Sequence, residues 1–286
     1  MSAVEASVVV PTRDRPADLR RALAALRGQR TERAWELVVV DDGSEPPIAP
    51  ELVGDARLIR LGGGGPGPAR NAGMRASAAP LVLFTDDDVE PDPGWLESAV
   101  AFLEREGDHV GVEGPVESPP YDPLRAYSIE VGAPGAYYSC NIAYRRDVLE
   151  RLGGFADDIP TPHGEDVDLA FRALELGPIG WAAGMRVLHH PRSLSFRALA
   201  GRSRMAPSEI VVFRRHRERY GRAARLPAYL FPYANIATAW AALARVELPR
   251  ALRNPARAAR LLALPLAQAW FTTRALLGFA LVRHGR

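Results

Sequence analysis

Residues 7–10 (SVVV) and 36–40 (ELVVV) are short runs dominated by β-branched apolar residues, and each ends in a polar cluster: Pro11-Thr12-Arg13-Asp14 and Asp41-Asp42-Gly43-Ser44. This pairing constrains the fold more than any other feature. Continuously apolar strands are buried on both faces, which places them in a parallel sheet covered by helices. Between the runs, Pro16 opens a segment with Leu19, Ala22, Leu23 and Leu26 at helical spacing, so the unit reads β-α-β. Residues 57–61 and 81–85 repeat the strand signal. Residues 68–77 lie between them, and Ala69, Ala72, Gly73 and Ala76 form a small-residue face suited to close helix packing. The alternation implies a doubly wound α/β sheet, whose ligands gather at the carboxyl ends of the strands. The polar clusters fall there.

Later strands are expected over 110–116, 137–143 and 181–188. A helix is marked by Val167, Ala170, Phe171 and Leu174 and stopped at Gly177. Beyond His190 the composition turns to Arg, Ala and Leu, which sets a boundary near residue 200: a front domain over 1–200 and a basic, apolar helical region over 201–286. The length of 286 residues suits one sizeable domain with an appendage. With 47% apolar and 24% charged residues, wholesale disorder is excluded. The single Cys140 excludes an internal disulfide and a thiolate metal cage, and fits a reducing compartment. The first residues lack a basic start followed by a long apolar run, so the expected location is cytoplasmic.

Three carboxylates, Asp86-Asp87-Asp88, follow the apolar run LVLFT. Such a cluster repels itself unless a cation or hydrogen-bond donors neutralise it, and hard oxygens favour Mg2+ or Mn2+ bridged to substrate phosphates. If the stretch is extended, Asp86 and Asp88 share a side and Asp87 points away. A solvated acidic turn is the competing reading, and the triplet alone does not separate the two. Asp41-Asp42-Gly43-Ser44 by itself reads as a turn. The glycines from Gly62 to Gly67 lack a Gly-Lys-Ser/Thr ending and read as a flexible loop. Glu165, Asp166 and Asp168 open a helix, where carboxylates are common caps and where a proton-accepting base would also be served. His189-His190 becomes a ligand candidate only if the fold brings it to the Asp triplet.

Taken in order, SVVVPTRDRPADLRRAL, VVVDDGS, GPARNAG, LFTDDDVEPDPGWL, CNIAYRRDVLERLGGF and GEDVDLAFRALELG resemble the family 2 glycosyltransferases over roughly residues 6–195. The resemblance implies a GT-A fold, a Rossmann-like mixed sheet, here with a C-terminal helical appendage. It also implies a nucleotide-diphospho-sugar donor and an inverting single displacement. By the same resemblance Thr12, Asp42 and Arg70 line the nucleotide pocket, with Asp42 contacting the base. Asp86 and Asp88 match the D-x-D: Asp88 binds the metal and Asp86 supports the ribose and metal. Asp166 matches the catalytic base, and His189 a metal-binding histidine, with His190 as the alternative register. A sugar-phosphate nucleotidyltransferase shares the architecture, but its Gly-rich loop and Lys after the first strand are missing, since the chain has no Lys. A non-catalytic nucleotide-sugar-binding scaffold would need a lost site, yet Asp86, Asp88 and Asp166 are present.

The net charge of +2 conceals a segregation. Residues 1–191 hold 18 Arg against 31 acids, and residues 192–286 hold 18 Arg against Glu209, Glu218 and Glu247. Two nearly uncharged stretches, 226–246 and 261–282, are interrupted by Pro227, Pro232, Pro265 and Arg274. Arg253, Arg257 and Arg260 fall between them at helical spacing. The pattern suits amphipathic helices on an anionic lipid surface; helical packing or dimerisation and membrane spanning are the other readings. The resemblance implies a sugar-nucleotide donor and a glycan or glycolipid acceptor as partners, and the tail adds the inner face of the cell membrane. Nucleic acid is not expected, because the tail's aromatics sit inside apolar runs. A homo-oligomer is compatible with the sequence.

Overall fold

The computed structural model describes residues 4–284. The chain runs β1 (Ala6–Thr12), α1 (Pro16–Arg27), β2 (Trp35–Asp41), α2 (Pro50–Val53), β3 (Arg57–Arg60), α3 (Pro66–Ala76), β4 (Leu81–Thr85), β5 (Val89–Pro91) and α4 (Trp95–Arg105). It continues with β6 (Gly111–Glu113), β7 (Val116–Glu117), β8 (Ala126–Tyr127), β9 (Asn141–Arg145), α5 (Arg146–Leu152), α6 (Glu165–Ala173), β10 (Ile179–Trp181), β11 (Val187–His189) and β12 (Arg192–Ser193). Four further helices follow: α7 (Phe196–Gly201), α8 (Ala206–Arg215), α9 (Phe231–Ala251) and α10 (Pro255–His284).

The main sheet has seven strands in the order β10-β6-β9-β4-β1-β2-β3. β1, β2, β3 and β4 pair in parallel, and β9 runs antiparallel between β4 and β6. The α/β expectation therefore holds, with a mixed sheet. Strand alternation assigns the two faces. Val8, Val10, Leu81 and Leu83 point to a core shared with α1 and α4, and Val9, Val38, Val40, Val82 and Phe84 to one shared with α3, α5 and α6. The small-residue face of α3 does what its composition implies. A Cβ on Gly73 would stand 2.3 Å from Val9 Cγ1, so only glycine lets this helix lie so close to β1.

Three expected strands differ, each for an identifiable reason. Residues 110–116 split into β6 and β7 at Gly114-Pro115, where a Cβ on Gly114 would strike the Met185 carbonyl at 2.0 Å. The strand expected over 137–143 begins only at Asn141. Gly135 and Tyr137 have φ of 108° and 57°, and both of their N–H groups donate to the Glu113 carboxylate instead of to a neighbouring strand. Residues 181–188 also divide. β10 stays in the main sheet, a turn closed by Met185 N–H to the Ala182 carbonyl intervenes, and β11 joins a second sheet of order β5-β11-β7. That departure carries His189 into register with Val89, one residue beyond the Asp triplet.

The chain forms two compact units. The first comprises the residues up to 119, 129–157 and 165–190, and the second 120–128, 158–164 and those from 191 on. Within the second, β8 pairs with β12, and Leu124, Leu199, Ala251, Leu261, Leu264 and Phe271 form a separate core. Arg257 makes two 2.9 Å bonds to Asp122 and also donates to the buried Glu247; Arg260 donates to the Leu124 carbonyl at 3.1 Å. Two of the three arginines expected to face lipid are thus held within this unit, Arg257 by the buried Glu247 and the half-buried Asp122 and Arg260 by a backbone carbonyl. Pro265 does not break the apolar stretch either, since α10 runs through it. No helix of the described residues is long and apolar enough to cross a membrane.

Candidate active site

β1, β2 and β4 end side by side, so Thr12, Asp42 and Asp86 share one edge of the sheet. After β4 the backbone leaves the extended conformation, and Asp87 and Asp88 occupy a turn before β5. The alternation expected for the triplet therefore does not apply. Asp87 is buried, accepts the Thr12 hydroxyl at 2.7 Å and is bonded by Arg15 at 3.0 Å. Burial pushes its carboxyl up to about 6, against the pull of Arg15 and with help from Asp88. The Thr12 hydroxyl is thus engaged by Asp87 and its carbonyl by the Asp42 N–H. Arg15 also reaches Asp88 at 3.5 Å.

Asp88 is buried as well, and His189 Nε2 lies 3.8 Å from its Oδ1. Backbone pairing fixes this approach, since His190 N–H donates to the Asp88 carbonyl at 3.1 Å. The neighbouring imidazole of His190 turns instead to Glu90, at 2.5 Å. Between the two registers left open by the sequence, it is His189 that stands beside the triplet. Asp86 faces the other way, with its Oδ1 2.6 Å from Arg70 Nη2. Asp88 and His189 bring a carboxylate oxygen and an imidazole nitrogen together, donors that Mg2+ or Mn2+ accept, but Asp86 is turned to Arg70 and the three do not gather within 4.8 Å of one another. A tighter group of ligand atoms, from Glu106, Asp108 and His109, lies where α4 leads into β6, away from the strand ends that carry Asp42 and Asp86.

Arg70 is buried on α3 and reaches both Asp86 and, at 3.1 Å, Glu165 on α6. Burial disfavours its charge, but Asp86 and Glu165 hold it protonated. Burial and the adjacent Asp166 raise Glu165 well above the usual carboxylate range, with Arg70 opposing. Asp166 occupies the first turn of α6. Its Oδ1 accepts the Val167 N–H at 2.9 Å, and its Oδ2 faces the Ser139 N–H at 3.4 Å. Cys140 is buried nearby, its thiol pushed up by burial and by surrounding carboxylates, which removes it as a nucleophile.

Asp41 and Asp42 divide their work. Asp41 accepts the N–H groups of Ser44 and Ile48 and a bond from Arg60; burial opposes these contacts but its carboxyl is held low. Asp42 accepts Gly65 N–H at 2.8 Å, so the glycine loop is folded down on it and is not free. The other Asp42 oxygen, Oδ1, is buried without a partner among the described residues, leaving one acceptor open at the strand edge. Arg15, Asp87 and Glu165 were given no role by the sequence. The signal for them is the pairing of an arginine in the β1 loop with a surplus acid, and of Arg70 with a second acid beside Asp166.

Replacing Arg70 by Met should cost about 3–5 kcal/mol, because it strands Glu165 in the interior. An acid whose folded value is raised holds its proton more tightly folded than unfolded, so stability falls as pH rises from its ordinary value of 4.5 through the folded one. The Arg70→Met deficit in urea unfolding is therefore expected to shrink between about pH 8 and about pH 5.

The family model described as Glycosyl transferase family 2 matches residues 7–153. The chain belongs to this family. The Pre-mycofactocin glycosyltransferase of Mycobacterium tuberculosis (strain H37Rv) is 32% identical over 214 residues, covering 66% of this chain and 42% of that protein. The Hyaluronan synthase of Pasteurella multocida is 36% identical over 116 residues, 38% of this chain and 12% of that one. The chain thus spans less than half the length of these family members. Among solved structures, the mannosyltransferase PcManGT from Pyrobaculum calidifontis, in complex with GDP-Man and Mn2+, aligns with a TM-score of 0.58 at 20% identity, over 96% of this chain and 88% of that one. S. aureus TarS 1-349 in complex with UDP-GlcNAc aligns at 0.54 and 18% identity, over 94% and 92%. These likenesses concern the fold, which is that of GT-A glycosyltransferases.

Proposed function

We propose that the chain is an inverting glycosyltransferase that moves a sugar from a nucleotide-diphospho-sugar to a hydroxyl of a lipid-linked or cell-surface glycan. It would work in the cytoplasm at the inner face of the membrane. One observation carries the reading: an ion-pair chain, Asp86–Arg70–Glu165, joins the Asp triplet to the first turn of α6, where Asp166 is next in sequence. Such a chain supports a base and a diphosphate-side carboxylate held in a set relation.

In this reading Asp42 Oδ1 accepts from the nucleobase, and Asp86, Asp88 and His189 hold the divalent cation. When bound, Mg2+ or Mn2+ offsets the charge that grows on the departing diphosphate. Asp166 takes the acceptor hydroxyl's proton as that oxygen bonds to the anomeric carbon. The bond from that carbon to the diphosphate oxygen breaks on the opposite face, and its electron pair leaves with the diphosphate. No covalent intermediate on the protein is needed. The donors bound by PcManGT and TarS, GDP-Man and UDP-GlcNAc, support a sugar nucleotide without fixing its base. Calorimetry with UDP-, dTDP- and GDP-sugars, with and without Mn2+, is expected to find one base bound in a metal-dependent way. Binding of none of them would reject the reading.

A further inference from the structure

Helix α10 is 30 residues, about 45 Å long, and its two sides differ sharply. Leu261, Leu264 and Phe271 pack into the core of the second unit. Leu262, Leu266, Trp270, Leu277 and Leu281 are 62, 75, 54, 61 and 75% exposed. Their spacings of four and seven residues place all five on one helical face. Five large apolar side chains along one exposed stripe need a partner. The surrounding charge identifies it. Of the three acids beyond residue 191, Glu247 is fully buried beside Arg250 and Arg257, Glu209 is half-buried and bonded to Asn235, and only Glu218 is exposed. On α9 and α10 and the turn between them, Arg245, Arg250, Arg253 and Arg274 are all exposed, and the Arg274 guanidinium lies 5.4 Å from the Trp270 ring.

We propose that α10 docks on the surface of an anionic bilayer, seating the Leu262–Leu281 stripe in the headgroup boundary with Arg274 among the phosphates. Arg274, near mid-helix, permits a helix lying in the interface and opposes one crossing it. The nearby cavity of about 350 Å3 lined by Tyr121, Asp122, Arg250, Asn254 and Arg257 is not the headgroup site, because Asp122 and Glu247 already neutralise Arg257. The docking face rests on the proposed lipid-borne acceptor for its purpose, but its measurement does not depend on transfer.

The test floats the full chain with vesicles of phosphatidylcholine alone or with about 30% phosphatidylglycerol. Binding to the anionic vesicles is expected to be tighter by about tenfold or more, and to weaken by about tenfold or more in Leu262→Ser/Leu266→Ser/Leu277→Ser with donor binding unchanged. Independently of that variant, lipids brominated on the acyl chain should quench tryptophan emission, an effect lost in Trp270→Phe. Equal flotation of variant and wild type, absence of Trp270 quenching, or a solution dimer that the triple variant dissociates would each overturn the proposal. Transfer to a water-soluble acceptor without vesicle binding would reject the docking face and leave the glycosyltransferase reading intact. Vesicle binding without any donor binding would do the reverse.

Discussion

Asp166→Asn is expected to lower transfer by about 10²–10⁴-fold while leaving donor affinity essentially unchanged. The substitution keeps the shape of the side chain. An asparagine oxygen still accepts from Val167 N–H, as the carboxylate does at 2.9 Å, so the first turn of α6 is preserved. What is lost is the capacity to take a proton, and only the step that deprotonates the acceptor needs it. Glu165 cannot substitute: its Oε1 is held by Arg70 at 3.1 Å, and burial favours its protonated form. Single-turnover transfer measured beside calorimetric donor binding separates the two effects. A variant that retains transfer would place the base elsewhere, and one that loses donor binding would make Asp166 part of the nucleotide pocket.

The parts of this fold that were legible in the sequence are those governed by local patterning. Val8, Val9 and Val10 alternate between two cores, and their unbroken apolar run announced a strand covered on both sides. Gly73 and its small neighbours announced close packing, and Gly73 lies where Val9 leaves no room for a Cβ. Several of the failures have a common cause, long-range pairing of charges and backbone groups that no local period encodes. Residues 137–139 have strand composition, yet the Glu113 carboxylate, more than twenty residues earlier, draws in the N–H groups of Gly135 and Tyr137, and β9 begins only at Asn141. Asp87 has the composition of a solvated turn, but Thr12 and Arg15, more than seventy residues before it, bury it. Likewise Arg257 has the spacing of a lipid-facing residue and is drawn to Asp122 instead. The site showed the same division. Its strand-end clusters could be located from sequence, whereas the Asp86–Arg70–Glu165 chain that joins them needed the fold.

Asp88→Asn should abolish the metal dependence of donor binding and lower transfer by about 10²–10³-fold, the scale set by removing one preorganised electrostatic contact at a developing charge. Asp88 is singled out among the three carboxylates by its surroundings. Asp87 accepts from Thr12 and Arg15, and Asp86 from Arg70, whereas Asp88 is the carboxylate beside an imidazole, with His189 Nε2 3.8 Å from its Oδ1 and the Arg15 guanidinium 3.5 Å from its Oδ2. Neutralising it removes a hard anionic donor without opening a cavity, so the fold should survive. The contrast with Asp87→Asn makes the experiment decisive. That change should leave Mn2+-dependent binding in place, because Asp87 faces the protein interior. If instead Asp87→Asn erased the metal dependence and Asp88→Asn did not, the cation would belong on the Arg15 side of the turn, and His189 would be a packing residue of β11.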